Sequence, residues 1–351
     1  MRDKPIKPLM PLENEASNQG PAGRNSNNEK ERKTNPLTRV ISFLFGSIGR
    51  TRRCTLDILS LTSGLMGTVR DAVIVAAGLG TRMLPASAYM PKELLPLVDM
   101  PVLHHLIFEA KEAGCDRIHI ITSPNKDFTS LHQDLNDAFP KYDKGSTHLH
   151  PLKDVEVFFH IQHEQKGLGH AIMMARNEIN GPFLVLLGDN ILTTNHSALN
   201  EFKPSIVSKN LVDLFDRHGQ PCASVYDVGI ERVSAYGIVS MDDEVITSIV
   251  EKPTPETAPS TYALCGRYIY GREAFELLDQ YTVEEFGEMQ SIELLRHWMD
   301  SGNLRADVLT DSVAWYDSGV PLEWLKSQID HALRRPEYAQ QLHQWLKQRF
   351  D

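Results

Sequence analysis

A glycine-rich loop followed by two cations is the part of this sequence with the clearest chemical meaning. The apolar run 72–77 is followed by Gly78 and Gly80, then by Arg82 and Lys92. Glycines let backbone N–H groups approach a phosphate closely. Arginine adds a fork of donors, and lysine adds a mobile point charge. This combination predicts a loop that holds phosphate.

Two familiar phosphate loops do not fit this segment. The Rossmann fingerprint requires a third glycine three positions after Gly80, where this chain has Met83. Walker A requires GxxxxGK[ST], which the segment does not contain. The remaining pattern, GxGTR followed by PKxxLP, indicates a nucleotide loop of another kind.

Other polar residues stand where predicted strands end, and ligands of an open α/β sheet bind at that edge. Asp189 closes the apolar run in LLGDN, and Mg²⁺ prefers one or two carboxylates together with phosphate oxygens and water. A helix N-cap is the alternative for Asp189. Gln162, in QHEQKGLGH, has an amide that can pair with a pyrimidine edge, or it is a surface residue. Glu251 and Lys252 can hold sugar hydroxyls and a phosphate, or they form an ordinary solvated pair.

The strands and helices that must position these residues are predicted from an alternation of two sequence patterns after Met66. Short β-branched runs alternate with longer segments of helical period, which predicts βαβ units. The predicted fold is a Rossmann-like α/β structure with a mixed, mainly parallel sheet flanked by helices. Strand-like segments beyond Pro221 predict a small antiparallel extension, and the tail from Pro321 predicts two helices broken at Arg335-Pro336. The predicted strands are 72–77, 117–122, 155–161, 183–187, 223–228, 236–239, 245–251 and 262–270, and the predicted helices include 101–113 and 168–177.

Charge and composition narrow the class of protein. Residues 1–68 carry eleven Lys or Arg against six Asp or Glu, a net charge of +5, so the remainder carries −15 of the total of −10. An acidic body does not attract nucleic acid through bulk charge, although a local basic site can still bind a nucleotide. The chain has no run of eighteen uncharged apolar residues, so a transmembrane span is not expected. Cys54, Cys115, Cys222 and Cys265 are scattered, which indicates buried thiols in a reducing compartment.

The leader before the first strand has two interpretations. Residues 1–36 are rich in Pro, Asn, Lys, Glu and Gly, and are expected to form a disordered basic segment. Within residues 37–68, apolar side chains recur at helical spacing from Leu37 to Ile48 and arginines follow. They form either an amphipathic helix that faces an anionic membrane or a partner, or part of a dispensable leader that ends before Met66.

Nine motifs in order resemble the sugar-1-phosphate nucleotidyltransferases, and most closely the bacterial-type UTP–glucose-1-phosphate uridylyltransferases. They are AAGLGTRMLP, MPKELLPLVDMP, QHEQKGLGHA, LLGDN, SAYGIV, VEKP, CGRYIY, GEMQ and YDSG, between about Val73 and Gln328. The resemblance does not extend to residues 1–68. It implies a nucleotide-diphospho-sugar transferase fold in a catalytic domain of residues 69–335, followed by a C-terminal helix at 336–351. It also implies a cytoplasmic homo-oligomer.

The resemblance assigns roles by motif. It implies catalytic cations at Arg82, Lys92 and Lys252, a Mg²⁺ site at Asp189 and Asp317, base and nucleotide contacts at Ala77, Gly78, Gly80, Gln162 and Gly167, and sugar contacts at Gly237 and Glu251. Many relatives have a second aspartate where this chain has Asn190, a difference that bears on metal coordination. The roles of Arg267 and Glu288 stay open.

The implied reaction joins UTP and glucose 1-phosphate to give UDP-glucose and pyrophosphate. A phosphate monoester has a second pKa of about 6, so the attacking sugar phosphate is already mostly a dianion at pH 7. No general base is needed, and the sequence offers no convincing catalytic His or Ser arrangement. Two alternatives stay open: the same chemistry with dTTP or another hexose 1-phosphate, and a non-catalytic sugar-nucleotide-binding regulator. Such regulators typically lack the arginine or a metal carboxylate, whereas this chain has both.

Overall fold

The structure is a computed structural model that describes residues 69–132, 150–281 and 291–350. Strands and α-helices of these residues are numbered below in chain order. The strands are β1 Asp71–Val75, β2 Pro96–Leu97, β3 Met100–Pro101, β4 Arg117–Thr122, β5 Glu156–Ile161, β6 Phe183–Leu187, β7 Asn190–Thr193, β8 Cys222–Asp227, β9 Gly237–Asp242, β10 Val245–Glu251, β11 Tyr262–Tyr270, β12 Arg305–Val308 and β13 Ala314–Asp317. The helices are α1 Val102–Glu112, α2 Leu168–Met173, α3 Val207–His218, α4 Ala274–Leu278, α5 Ile292–Asp300, α6 Pro321–Arg334 and α7 Pro336–Phe350.

Nine strands form one mixed sheet in the order β5-β4-β1-β6-β11-β8-β12-β10-β9. Its first half, from β5 to β6, is entirely parallel. In the second half β11 runs antiparallel to β6 and β8, while β12 runs parallel to β8. An antiparallel β9–β10 hairpin closes that end. The predicted mixed α/β fold is confirmed, and the antiparallel extension continues the same sheet sideways.

Helices cover both faces of the sheet, as buried parallel strands require. Successive side chains of a strand point to opposite faces. Ala72 and Ile74 therefore belong to one apolar core, which includes side chains of α1 and α3. Val73 and Ala77 belong to a second core, which includes side chains of α2, α4 and α5.

Four of the eight predicted strands have the bounds seen in the structure, and the other four overlap strands whose limits differ by one to three residues. The segments 117–122, 183–187, 245–251 and 262–270 are strands with the predicted limits. Helix α2 ends at Met173, before the predicted limit of residue 177. The break before Pro336 separates α6 from α7, since proline disfavours a helical conformation in the residue before it and Arg335 is extended.

The winding of the chain reverses direction beside β1. From β1 the chain builds β4 and β5 on one side, and it then returns to place β6 on the other side of β1. Ligands of such sheets bind at this reversal, beyond the carboxyl ends of the strands. Gln162 directly follows the end of β5 at this edge, and Ala77 and Asp189 lie two residues beyond the ends of β1 and β6.

Some of the predictions fall on residues outside the described ranges. These are the two leader segments, residues 1–36 and 37–68, together with Cys54 and Glu288. The other three cysteines are buried free thiols, as predicted. Within the described ranges, no helix is both long enough and apolar enough to cross a membrane. The division into a catalytic domain and a separate C-terminal helix stays a prediction.

Helix α6 is fixed to the β2–β3 hairpin and to the core by polar contacts. The Gln328 amide donates to the Pro96 carbonyl at 2.5 Å and accepts from the Val98 N–H at 2.7 Å. On the buried side of α6, Nδ1 of His331 lies 3.0 Å from Nδ1 of His196. Burial, with the nearby His196 and Arg335, lowers the pKa of His331 to about 4. His331 is therefore neutral in the folded protein at pH 7.

This histidine should make the protein sensitive to acid. The pKa of histidine is about 6.5 in an unfolded chain, so between pH 6.5 and 4 the unfolded state binds more protons than the folded state. The free energy of unfolding therefore decreases as the pH is lowered through this range. Between pH 7 and 5 the loss from His331 is about 2 kcal/mol. We expect His331→Gln to reduce the pH 7-to-5 drop in unfolding free energy, measured with urea, by about that amount. The exposed His297→Gln variant should keep the full drop, and an equal drop in both variants would contradict the assignment.

Candidate active site

The loop after β1 presents open backbone and then a cation. A Cβ built on Gly78 would have no heavy atom within 4 Å, so there is space beside this backbone. Gly80 has φ +66 and begins the short 3-10 turn Thr81–Met83 that carries Arg82. The Ser87 hydroxyl donates to the Gly80 carbonyl at 2.8 Å and ties the loop to the segment that follows. The two glycines and the exposed Arg82 therefore belong to one loop beyond the carboxyl end of β1.

Lys92 contacts a carboxylate that is distant in sequence. Its Nζ lies 2.6 Å from Oδ2 of Asp189, in the turn between β6 and β7. The Lys92 side chain is only 10% exposed. A cation so far removed from water needs a close anion. The loop after β1 and the turn after β6 are thus joined by charge.

The two predicted metal carboxylates converge with Arg82 around Gly319. A Cβ built on Gly319 would lie 2.9 Å from Oδ1 of Asp317, 3.4 Å from Oδ2 of Asp189 and 3.7 Å from Nη2 of Arg82. The Gly319 N–H donates to Oδ1 of Asp317 at 2.5 Å. A residue without a side chain at this point lets both carboxylates and the guanidinium approach one another. The structure brings together Arg82, Lys92, Asp189 and Asp317.

The chemistry of these carboxylates suits a divalent cation. Burial and the negative charge of Asp189 raise the pKa of Asp317 above its ordinary value, against the opposing Gly319 N–H and the two cations. Burial and a neighbouring carboxylate both disfavour the ionised form of Asp317, and a bound cation would stabilise that form. The described residues contain no cluster of three or more His, Cys, Asp or Glu placed to hold a metal. Two carboxylates with substrate oxygens and water are nevertheless the usual Mg²⁺ ligands.

A second group of predicted residues lies after β5. Gln162 is only 2% exposed, which excludes the surface alternative. Its Nε2 donates to the Gly167 carbonyl at 3.2 Å and lies 2.9 Å from Nδ1 of His170. Gln165 donates to the Ala77 carbonyl at 3.2 Å, so this loop is linked to the loop after β1. Gly167 has φ +97, a conformation that favours glycine.

The third group lies at the start of β9 and the end of β10. Gly237 pairs with Glu251 in the β9–β10 ladder, and a Cβ on Gly237 would lie 3.0 Å from Oε2 of Glu251. Lys252 follows with φ +46, and its N–H donates to the Tyr236 carbonyl at 2.9 Å. The Lys252 and Glu251 side chains are 62% and 41% exposed and lie 3.4 Å apart. Such a strained lysine, exposed beside a carboxylate, marks this hairpin as a functional candidate.

Trp315 joins the third group to the carboxylates. Its ring lies 4.8 Å from that of Tyr236, centroid to centroid, and its Nε1 donates to Oδ1 of Asn190 at 3.1 Å. Asp317 stands two residues further along β13, where it pairs with Asn190 of β7. The Asn190 side chain is therefore used to hold β13 against β7.

Comparison with known proteins places the chain in a family. Residues 71–330 match the nucleotidyl transferase family. The UTP–glucose-1-phosphate uridylyltransferase YngB of Bacillus subtilis is 36% identical over 292 residues, which cover 80% of this chain and 95% of that protein. The UTP–glucose-1-phosphate uridylyltransferase of Streptococcus pneumoniae is 34% identical and covers the same share of this chain and 96% of its own length.

This chain belongs to the nucleotidyl transferase family. A solved UDP-glucose pyrophosphorylase in complex with UDP-glucose superposes with a TM-score of 0.63 at 30% identity, over 75% of this chain and 98% of that one. The UTP-bound enzyme of Acinetobacter baumannii superposes with a TM-score of 0.67 at 26% identity, over 79% and 98%.

Arg267, whose role the sequence left open, forms a buried hydrogen-bond network next to the site of this nucleotidyltransferase. Its guanidinium donates to both carboxylate oxygens of Glu109 at 2.9 Å, and both side chains are at most 1% exposed. The same guanidinium donates to the Asn190 carbonyl at 2.8 Å. The Ser208 hydroxyl donates to Glu109 at 2.5 Å. This buried network fixes the residue that directly follows Asp189.

The sequence did not single out Lys126. Its Nζ donates to the Ala76 carbonyl at 2.6 Å and to both oxygens of buried Glu93 at 2.8 Å. It thereby joins the loop after β1 to the segment that carries Lys92. One signal could have pointed to it: Lys126 follows the end of β4, at the edge of the sheet where ligands bind.

Breaking the buried ion pair should cost much more than breaking a surface pair. Removing one partner of a buried pair typically costs about 3–5 kcal/mol, because the other charge stays buried without compensation. We expect Arg267→Met to lose that amount in denaturant unfolding. Arg296→Met, which removes a partly exposed pair with Glu293, should lose at most about 1 kcal/mol. A similar loss in the two variants would show that Arg267 does not stabilise the turn as described.

Proposed function

We propose that this chain transfers a uridylyl group from UTP to glucose 1-phosphate and releases pyrophosphate. The observation that carries the proposal is the convergence of Arg82, Lys92, Asp189 and Asp317 beside the glycine loop after β1. Two anions must meet in this reaction, and such a cluster supplies the charges needed to bring them together. The relatives named as uridylyltransferases support the choice of substrates.

The nucleotide would lie along the loops that follow β1 and β5. Gly78 and Gly80 would offer backbone N–H groups to the triphosphate, and Ala77 would line the base. Gln162 and Gly167 would read the base edge. The hydrogen bond from Gln165 to the Ala77 carbonyl supports one continuous nucleotide site, because it links these two loops.

The sugar phosphate would lie against the β9–β10 hairpin. Glu251 can accept hydrogen bonds from two sugar hydroxyls, and the Gly237 backbone can contact the sugar because no side chain intervenes. Lys252 would hold the attacking phosphate. The contact between Tyr236 and Trp315 supports this placement, since it connects the hairpin to β13 and so to Asp317.

The reaction would be an in-line attack of the sugar phosphate on the α-phosphorus of UTP. The attacking oxygen is already ionised, so the side chains position and neutralise charge, and no proton has to be removed. Arg82 would hold the departing pyrophosphate, Lys92 the charge that develops at the α-phosphate, and Lys252 the nucleophile. Asp189 and Asp317 would hold Mg²⁺, and the bound ion would supply positive charge that offsets the charge of the phosphates.

Pyrophosphate release tests the substrates directly. We expect release with UTP and glucose 1-phosphate together and none when either is omitted, since both anions take part in the chemical step. A grid of UTP, dTTP and CTP against several hexose 1-phosphates separates the uridylyltransferase from its closest alternatives. Binding of UDP-glucose without turnover of any pair would instead favour the non-catalytic regulator.

The catalytic cations should each have a large effect on rate. A well-placed charged donor contributes about 3–4 kcal/mol, or roughly a hundred- to a thousandfold in kcat. We expect Arg82→Ala and Lys252→Ala each to lose at least that factor while their melting temperatures stay close to that of the parent. Arg272→Ala is a matched control, because Arg272 lies beyond the end of β11 that is opposite to the site. It forms an exposed pair with Glu276 there. A near-normal rate in either active-site variant would remove its assigned role.

A further inference from the structure

The amide of Gln162 has its orientation set by two neighbours. Its Nε2 lies 3.2 Å from the Gly167 carbonyl oxygen and 2.9 Å from Nδ1 of His170. A carbonyl oxygen can only accept a hydrogen bond, so the group that faces Gly167 must be the NH₂ of the amide. This contact excludes the flipped arrangement, in which two oxygens would face each other.

The orientation of the amide also fixes the tautomer of His170. An amide NH₂ has two hydrogens, and one of them is directed at the Gly167 carbonyl. The second points to Nδ1 of His170, which must accept and therefore carries no proton. His170 is thus the neutral tautomer with its hydrogen on Nε2. Burial and the nearby Lys166 lower the pKa of His170, against the opposing charge of Glu164, and so favour this neutral form.

We infer that His170 is a specificity-determining positioning residue, which holds the Gln162 amide so that its oxygen faces the base and selects uracil over cytosine. This inference rests on the proposed role of Gln162 in base reading. With both hydrogens of Nε2 used inside the protein, Oε1 is the amide atom that serves the ligand. An oxygen accepts and cannot donate.

The two pyrimidines differ at the atom that this oxygen would meet. Uracil has an N3–H donor on its pairing edge, whereas cytosine has an unprotonated N3 acceptor there. Oε1 can accept from uracil N3–H, but it would face the cytosine N3 as a second acceptor. A site that places a buried polar group against an unmatched partner discriminates strongly. Thymine has the same pairing edge as uracil, so this arrangement does not separate dTTP from UTP.

Two substitutions separate accepting from donating at position 170. His170→Gln keeps a neutral side chain whose oxygen can accept from Nε2 of Gln162. His170→Lys places an ammonium there, which has donors only. The ammonium would draw Oε1 of Gln162 towards itself, because a charge-assisted bond is stronger than the 3.2 Å bond to Gly167. The NH₂ would then face the base and match cytosine.

The measurement is the ratio of kcat/KM for UTP to that for CTP, by pyrophosphate release with glucose 1-phosphate. We expect the parent to prefer UTP by at least about a hundredfold. His170→Gln should keep this ratio within about threefold, and His170→Lys should lower it by about tenfold or more. The ratio cancels any general attraction of the added charge for the triphosphate, since both nucleotides carry the same phosphates.

Three results would overturn the inference: an unchanged ratio in His170→Lys, an equal fall in both variants, or a fall in His170→Gln alone. His170→Arg is a second donor-only variant, for use if His170→Lys does not fold, as judged by its melting temperature. The same ratio and the same limits apply to it. If the parent releases no pyrophosphate from UTP, the proposed function fails, and that outcome is distinct from a parent that uses UTP and CTP equally.

Discussion

The guanidinium of Arg267 lies between the carboxylate of Glu109 and the main-chain carbonyl of Asn190. Charges removed from water need nearly complete hydrogen bonding, and this pair has it, with Ser208 completing the set at Glu109. Because the third acceptor is the residue after Asp189, the network fixes the turn that presents a candidate metal carboxylate. Burial of an ion pair is a poor way to gain stability compared with apolar packing, but it defines one geometry closely. The turn between β6 and β7 requires a fixed backbone position, and this ion pair provides it.

Next to that turn, the carboxylates and the cations of the site balance one another's charge in the substrate-free protein. Two carboxylates converge, and Lys92 contacts Asp189 while the Arg82 guanidinium lies near Gly319. A poorly solvated lysine cannot stay without a counter-ion, so Asp189 serves that purpose in the substrate-free protein. In the proposed reaction a substrate phosphate would take the place of this carboxylate as the partner of Lys92. The site therefore holds its cations ready at low electrostatic cost and needs no large rearrangement.

The parts that sequence reasoning predicted best were those with local signals. Strand periodicity located β4, β6, β10 and β11 to the residue, and the motifs located the loops that converge. The contacts that hold those loops were not predictable, because they join distant segments. Nothing near Arg267 in the chain indicates Glu109 as its partner, and Lys126 looked like any loop lysine. Asn190 raised a question about metal coordination, and only the fold shows that its side chain is committed to Trp315.

The two halves of the sheet give the two ends of the site different mechanical properties. The proposed nucleotide end is built on two parallel strands, the buried β1 and the partly exposed edge strand β5, and its proposed base-reading group, Gln162, is almost fully buried. The proposed sugar end is built on an antiparallel hairpin, whose Glu251 and Lys252 side chains are 41% and 62% exposed. A change in the hairpin can therefore alter the sugar contacts without disturbing the core under Asp189. A substitution at the nucleotide end breaks buried hydrogen bonds and therefore disturbs the whole loop that follows β5. On this physical ground, sugar preference should be easier to change by substitution than base preference.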